Sequence, residues 1–305
     1  MKRFIFAVMF LLCFTSCHKL LMIEPVGFEV NIEVDSVLFA ELSDYGCGGT
    51  AEGLVADMIR SWNPDFIVTA GDNNYPEGKY NTIREHIGQY YCDFIYNYDA
   101  HTEYQCRGKA WERGVNQFFP IPGNHDANNS LGLLPYYNYF TLPGNEVYYK
   151  FTWGPVTFFC LNCYDRGINE QRDWLEEGTA HSTTPFNIVV LHEPPYSCAA
   201  HGNHEQWQWD YHGMGIDLVL SGHDHAYNRI EKKDESGLYY IVNGLGGRDA
   251  AGCGAFPLPE DQFISYCYDA NYGAMRIQVN QRRLLMEFVS VGPPEEVIDH
   301  LLIEK

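Results

Sequence analysis

DFIVTAGDNNYPEG, residues 65–78, is the stretch on which the reading of this chain turns. Its first half is an apolar run, the pattern of a strand buried on both faces, and it delivers the backbone into Gly71 and Asp72. Tyr75 follows three residues after the aspartate. The same sentence structure recurs along the chain. VLFAEL (37–42) runs into LSDYGCGG with Asp44, FFPIPG (118–123) into Asn124 and His125, FNIVVLH (186–192) ends on His192, and IDLVLSG (216–222) runs into His223 and His225. Helical periodicity lies between: TAEGLVADMIRSW (50–62), with Thr50 expected as its N-cap, and NEQRDWLEEG (169–178). Buried strands alternating with helices predict an α/β fold. Three late alternating runs, LYYIVNG, YGAMRIQVN and RLLMEFVSV, predict antiparallel strands of a second sheet. The Tyr-, Asp- and Asn-rich segment 78–114 has no clear period.

Loops at the C-terminal ends of strands are where α/β sheets build their sites. A lone aspartate there is ordinarily a turn or cap residue, and a lone histidine a loop residue. Five polar bursts in corresponding places exceed that explanation, because turns do not need histidine. Asp44, Asp72, Tyr75, Asn124, His192, His223 and His225 together offer carboxylate, phenol, amide and imidazole donors without a thiolate. That set suits Fe, Mn or Zn and is too large for one ion. Two adjacent metals form a clamp used to hydrolyse phosphate esters.

The order D-x-G, G-D-x-x-Y, G-N-H-D, H and G-H-x-H, between about residues 37 and 229, resembles the calcineurin-like metallophosphoesterases. The tyrosine makes it similar to the purple acid phosphatase branch, close to the small, tartrate-resistant type. The resemblance implies a four-layer α/β/β/α sandwich with two mixed sheets. It also implies hydrolysis of phosphate monoesters by a metal-bound hydroxide. Asp44, Asp72, Tyr75 and His225 would hold Fe(III), with Asp72, Asn124, His192 and His223 holding a divalent Fe, Zn or Mn. Tyrosinate on Fe(III) gives that branch its colour. His125 would orient the phosphate or protonate the leaving oxygen, and His201 would assist; His204 reads as a loop residue. Two departures stand out. The first motif has Tyr45 where the branch commonly has Trp, and Ala200 stands where small members often carry a glutamate, whose role therefore does not transfer. A phosphodiesterase or nucleotidase with the same metals is the alternative, and a non-catalytic surface lipoprotein a third.

A net charge of −20 argues against nucleic acid as a partner and leaves room for a small phosphate ester if local cations offset the field. Lys2 and Arg3, the apolar run 4–14 and the lipobox-like Phe14-Thr15-Ser16-Cys17 predict an exported chain. The expected division is a signal peptide at 1–16, a tether at 17–35 and the catalytic domain at 36–305. A lipidated Cys17 would place the protein in a bacterial cell envelope, in the periplasm or at the outer membrane; without it the chain would be secreted. Export permits disulfides, and Cys92 with Cys106 and Cys253 with Cys267 each close a short loop. Cys160 and Cys163 lack a matching second pair for a zinc site and read as buried thiols. The glycine-rich turn 46–50 leads into a helix N-terminus and could donate backbone N–H groups to phosphate, but reads first as room for the backbone to pass close beside the metals. Arg248 has no assigned role.

Overall fold

A computed structural model describes residues 29–305, so the expected signal peptide and Cys17 lie outside the described residues. Two mixed sheets carry the fold. In chain order the strands are β1 (Asn31–Ile32), β2 (Ser36–Leu42), β3 (Phe66–Thr69), β4 (Phe118–Pro120), β5 (Tyr149–Trp153), β6 (Val156–Cys160), β7 (Phe186–Val190), β8 (Leu218–Ser221), β9 (Tyr227–Lys232), β10 (Tyr239–Asn243), β11 (Phe263–Tyr268), β12 (Gly273–Asn280), β13 (Arg283–Ser290) and β14 (Glu296–Glu304). One sheet has the order β14-β13-β12-β2-β3-β4, the other β1-β5-β6-β7-β8-β10-β9-β11. Strands β2, β3 and β4 are parallel, as are β6, β7 and β8.

The sheets pack face to face through aromatic rings, the side chains that bury most area per residue. Phe39 and Phe66 of the first sheet meet Phe158 of the second edge-on, at 5.1 and 5.5 Å between centroids. Phe119 stacks on Phe151 at 3.8 Å. Period-two alternation sorts the second sheet. Phe158, Ile188 and Val190 face this core, while Phe159, Val189 and Val219 face an outer cluster with Leu175 of helix Ile168–Ala180. On the other side Val55, Ala56 and Ile59 of helix Thr50–Trp62 are buried. The arrangement is helix, sheet, sheet, helix, as expected.

Three local expectations change. Gly49, not Thr50, occupies the N-cap position in extended conformation, and Thr50 is the first helical residue. The buried carboxylate of Glu52 accepts the N–H groups of Cys47 and Gly48 at 3.0 and 2.8 Å, so the turn before the helix is held from inside it. The late runs do not build a second sheet of their own: β12 and β13 extend the first sheet, with β12 antiparallel to β2, while β10 joins the other, antiparallel to β9 yet parallel to β8. Segment 78–114 contains short helical pieces, Tyr80–Ile83, Gln89–Tyr91 and Lys109–Arg113 among them. Both expected disulfides, Cys92–Cys106 and Cys253–Cys267, are formed, and Cys160 is a buried free thiol with Cys163 partly buried.

Candidate metal centre

The C-terminal ends of β2, β3 and β4 in one sheet and of β7 and β8 in the other converge, and each leads into a loop bearing predicted site residues. Asp44 follows β2, Asp72 and Tyr75 follow β3, Asn124 and His125 follow β4, His192 follows β7, and His223 and His225 follow β8. Donor atoms of Asp44, Asp72 and His192, all buried, lie within 4.8 Å of one another. The amide oxygen of Asn124 is 3.0 Å from His192 Nε2 and 3.0 Å from His223 Nδ1. His192 Nε2 is also 3.5 Å from Asp72 Oδ1. On the other flank the Tyr75 hydroxyl donates to Asp44 Oδ1 at 3.0 Å and lies 3.4 Å from His225 Nε2. All seven predicted ligands thus come together, in two neighbouring groups.

Backbone geometry makes this possible at a cost. Asp44, Asp72 and His223 adopt φ of 54°, 51° and 70°, the left-handed region that side-chain-bearing residues avoid, at roughly 1–3 kcal/mol each. The surroundings hold them there. His223 N–H donates to Asp44 Oδ2 and His125 N–H to Asp72 Oδ1, both at 2.8 Å. Close passage by glycine is required at Gly46, where a Cβ would fall 1.7 Å from the Asn73 carbonyl oxygen.

Hydrogen bonds behind the site fix which imidazole nitrogen faces in. His192 Nδ1 meets the Ala70 carbonyl at 2.7 Å and His225 Nδ1 the Asp249 carbonyl at 3.1 Å, so each donates outward and in its neutral form turns an Nε2 lone pair inward; burial acts downward on both, but the neighbouring carboxylates raise them and favour the protonated forms until a cation takes that place. Burial, with the nearby His192 as second cause, pushes His223 down to about 2, which keeps its lone pair free. Burial first, then the charges of Asp44 and Asp72, raise the Tyr75 phenol well above its ordinary value. Burial likewise raises Asp72. For Asp44 burial acts upward, but the hydrogen bond from His225 and the charges of His192 and His225 outweigh it. Two buried carboxylates stand against a phenol with no Lys or Arg paired to either among the described residues, and of the basic side chains only the imidazoles of His125, His192 and His225 lie within 4 Å of them. Hard oxygen and imidazole donors without thiolate are the chemistry of a hard or borderline cation pair, and the residues fit one.

His125 stands at the mouth. Its Nδ1 meets the Pro76 carbonyl at 2.7 Å, its Nε2 is 3.9 Å from Asp72 Oδ2, and its ring lies 4.3 Å from that of Tyr75. His201 is exposed and stacks on His223 at 4.2 Å; His204 lies 5.2 Å from the same ring. Sequence reasoning missed the supports. Asp126, buried, accepts three N–H bonds from Gly123 and Asn73, and its place two residues after Asn124 was its one legible signal. The carbonyls of Ala70 and Asp249 carry no side-chain signal at all. Arg248, from a distant loop, sits 4.8 Å over the Tyr75 ring.

Residues 38–227 match the family model described as calcineurin-like phosphoesterase, and the chain belongs to that family. Among curated relatives, purple acid phosphatase 15 of Arabidopsis thaliana is 30% identical over 241 residues, covering 68% of this chain and 44% of the relative. Fe(3+)-Zn(2+) purple acid phosphatase 12 of the same plant is 26% identical, covering 63% and 46%. The chain therefore spans about half the length of these relatives. Among solved structures, GAP50, the anchor in the inner membrane complex of Plasmodium, superposes with a TM-score of 0.65 at 19% identity over 89% of each chain, a likeness of fold.

Proposed function

We propose that this protein is a dinuclear-metal hydrolase of phosphate monoesters, of acid phosphatase type. The observation that carries the reading is the convergence of seven donor side chains from five strand ends, two of them buried carboxylates with no Lys or Arg partner among the described residues. Asp44, Tyr75 and His225 would hold Fe(III), and Asn124, His192 and His223 a divalent Fe, Zn or Mn, with Asp72 between. When bound, such a pair neutralises phosphoryl oxygens and lowers the pKa of a bound water.

The chain's own residues do the rest. Asp44 and Asp72 are fixed by backbone N–H donors, and His192 and His225 by carbonyls, so the donor set needs little rearrangement. His125 is held through Nδ1 by the Pro76 carbonyl, which leaves Nε2 on the side of Asp72, 3.9 Å from its Oδ2. In its protonated form that nitrogen can give a proton to the leaving oxygen, while His201 on the rim orients the phosphate. A small phosphate ester is the expected partner. Export, with Cys17 lipidated and the protein tethered to a cell envelope, is part of the reading and is supported by Lys2, Arg3 and the apolar run 4–14. Cys17→Ser should release the protein into the soluble fraction.

The test is metal analysis of the purified protein with turnover of p-nitrophenyl phosphate against bis(p-nitrophenyl) phosphate. About two metals per chain and preference for the monoester support the proposal. Preference for the diester moves the assignment to a phosphodiesterase, and metal-replete protein inert on both overturns it.

A further inference from the structure

We propose that Arg248 is a second anion-binding group beside the metal centre, selecting phosphate esters whose leaving group carries another phosphate. The inference rests on the phosphatase reading and deepens it.

The loop that bears Arg248 follows β10 and is stitched to two of the candidate ligands. Arg248 N–H donates to the Asp44 carbonyl at 3.0 Å and Ala251 N–H to the His225 carbonyl at 2.9 Å. The Asp249 carbonyl accepts from His225, and its side chain accepts from the Tyr272 hydroxyl at 3.2 Å. Cys253, just beyond, is pinned to β11 through Cys267. The guanidinium is thus delivered from a fixed backbone. It rests over the face of Tyr75, 4.8 Å from Cζ to centroid, and beside the Cys47 thiol.

With 40 acidic against 20 basic residues carboxylates are abundant, and Arg229 and Arg276 pair with Asp299 and Glu287. Among the described residues no carboxylate lies within ion-pairing distance of Arg248. The residue is exposed, and apart from its hydrogen bond to the Cys47 thiol its N–H donors face solvent. Aromatic stacking occupies the plane of a guanidinium and leaves its edge free, and that edge matches phosphate in two parallel hydrogen bonds.

Tyr75 tells which part of a substrate would meet it. Its ring touches both His125, at 4.3 Å, and Arg248. His125 is the proton donor proposed for the leaving oxygen, and Arg248 packs on the same ring, so the second phosphate is set beside Tyr75. A phosphate placed next to the scissile bond, as in a phosphoanhydride or a vicinal bisphosphate, would lie within reach of Arg248. In a protein of net charge −20 such a polyanion needs a dedicated cation beyond the metals.

The experiment compares methylenebisphosphonate with methylphosphonate, binding to metal-loaded wild type, Arg248→Ala and Arg248→Lys by titration calorimetry, with metal content checked afterwards. The kinetic counterpart is the ratio of kcat/KM for pyrophosphate over p-nitrophenyl phosphate. Wild type should prefer the bisphosphonate, and Arg248→Ala should cut that preference about 10- to 100-fold, the worth of a charge-assisted contact. Arg248→Lys, which keeps the charge and loses the fork, should recover part of it. An unchanged preference, or equal losses for both ligands, overturns the proposal. An Arg248-dependent preference in a protein that hydrolyses no phosphate ester upholds this inference and overturns the phosphatase reading instead.

Discussion

Asp126 is expected to hold the metal centre together without touching a metal. Its carboxylate is 2% exposed. One oxygen, Oδ2, accepts from Gly123 N–H at 2.8 Å, Asn73 N–H at 3.0 Å and the Asn73 side-chain amide at 2.9 Å. Those three bonds join the loop of Asp72 and Tyr75 to the loop of Asn124 and His125. Asp126→Ala leaves three buried donors without an acceptor, each costing about 1–3 kcal/mol. Because the three share one atom, the total is less than additive, about 3–6 kcal/mol. At the few degrees per kcal/mol usual for chains of this size, Tm should fall on the order of 10 °C. Asp126→Asn can keep an oxygen in the same place and should lose about a third as much. The assay is calorimetry on metal-free wild type and variants, followed by metal analysis after reloading. An Asp126→Ala protein that melts within about 2 °C of wild type refutes the reasoning.

His125→Ala should retain both metals and lose about 10²–10⁴ in turnover, the worth of a positioned acid; full metal content with normal turnover would make His125 a packing residue. A sample shown to hold about one iron per chain should be coloured when oxidised and bleached by Tyr75→Phe, since no carboxylate or imidazole here gives visible charge transfer to Fe(III). Burial pushes Glu52 up to about 9 from an ordinary 4.5, so its contribution to stability is full below about pH 4.5 and lost as pH rises through 9. Urea unfolding between those limits should show Glu52→Gln flattening the decline by up to about 1.4 kcal/mol per pH unit, and parallel curves would disprove the shift.

The site was more legible than its supports, for a physical reason. Each ligand stands just beyond an apolar run, so strand and ligand announce each other, as FIVT does Asp72 and LVLS does His223. Tyr75 was readable only through G-D-x-x-Y and the resemblance that motif carries, since one tyrosine among 22 has no other mark. Short loop closure was enough for Cys92–Cys106 and Cys253–Cys267. Strand β9 begins two residues after His225 and its first residues are buried polar and aromatic groups, so no alternation marks it. Strand β14 is an edge, exposed over much of its length, and carries Asp299 and His300 in its middle. Carbonyl partners such as those of Ala70 and Asp249 belong to the backbone, which has no residue type to read. Left-handed Asp44, Asp72 and His223 look like ordinary residues because the strain is imposed by tertiary contacts, against local preference.

The same contacts explain how so acidic a chain can host an anionic substrate. The negative groups nearest the site, Asp44 and Asp72, are buried and already engaged by backbone N–H donors, so they face inward and not toward solvent. Glu41 and Glu52 lie behind them, and burial raises both, to about 8 and about 9, which favours their neutral forms at pH 7. Nitrogen donors at the mouth are His125, His201, His204 and Arg248, with the Asp249 carboxylate beside them accepting from Tyr272. On the proposed function, a phosphate ester approaching from solvent would meet these nitrogen donors before the buried Asp44 and Asp72. Selectivity in this arrangement resides at the rim, where histidines and one arginine vary the approach, while the buried donor set fixes the chemistry.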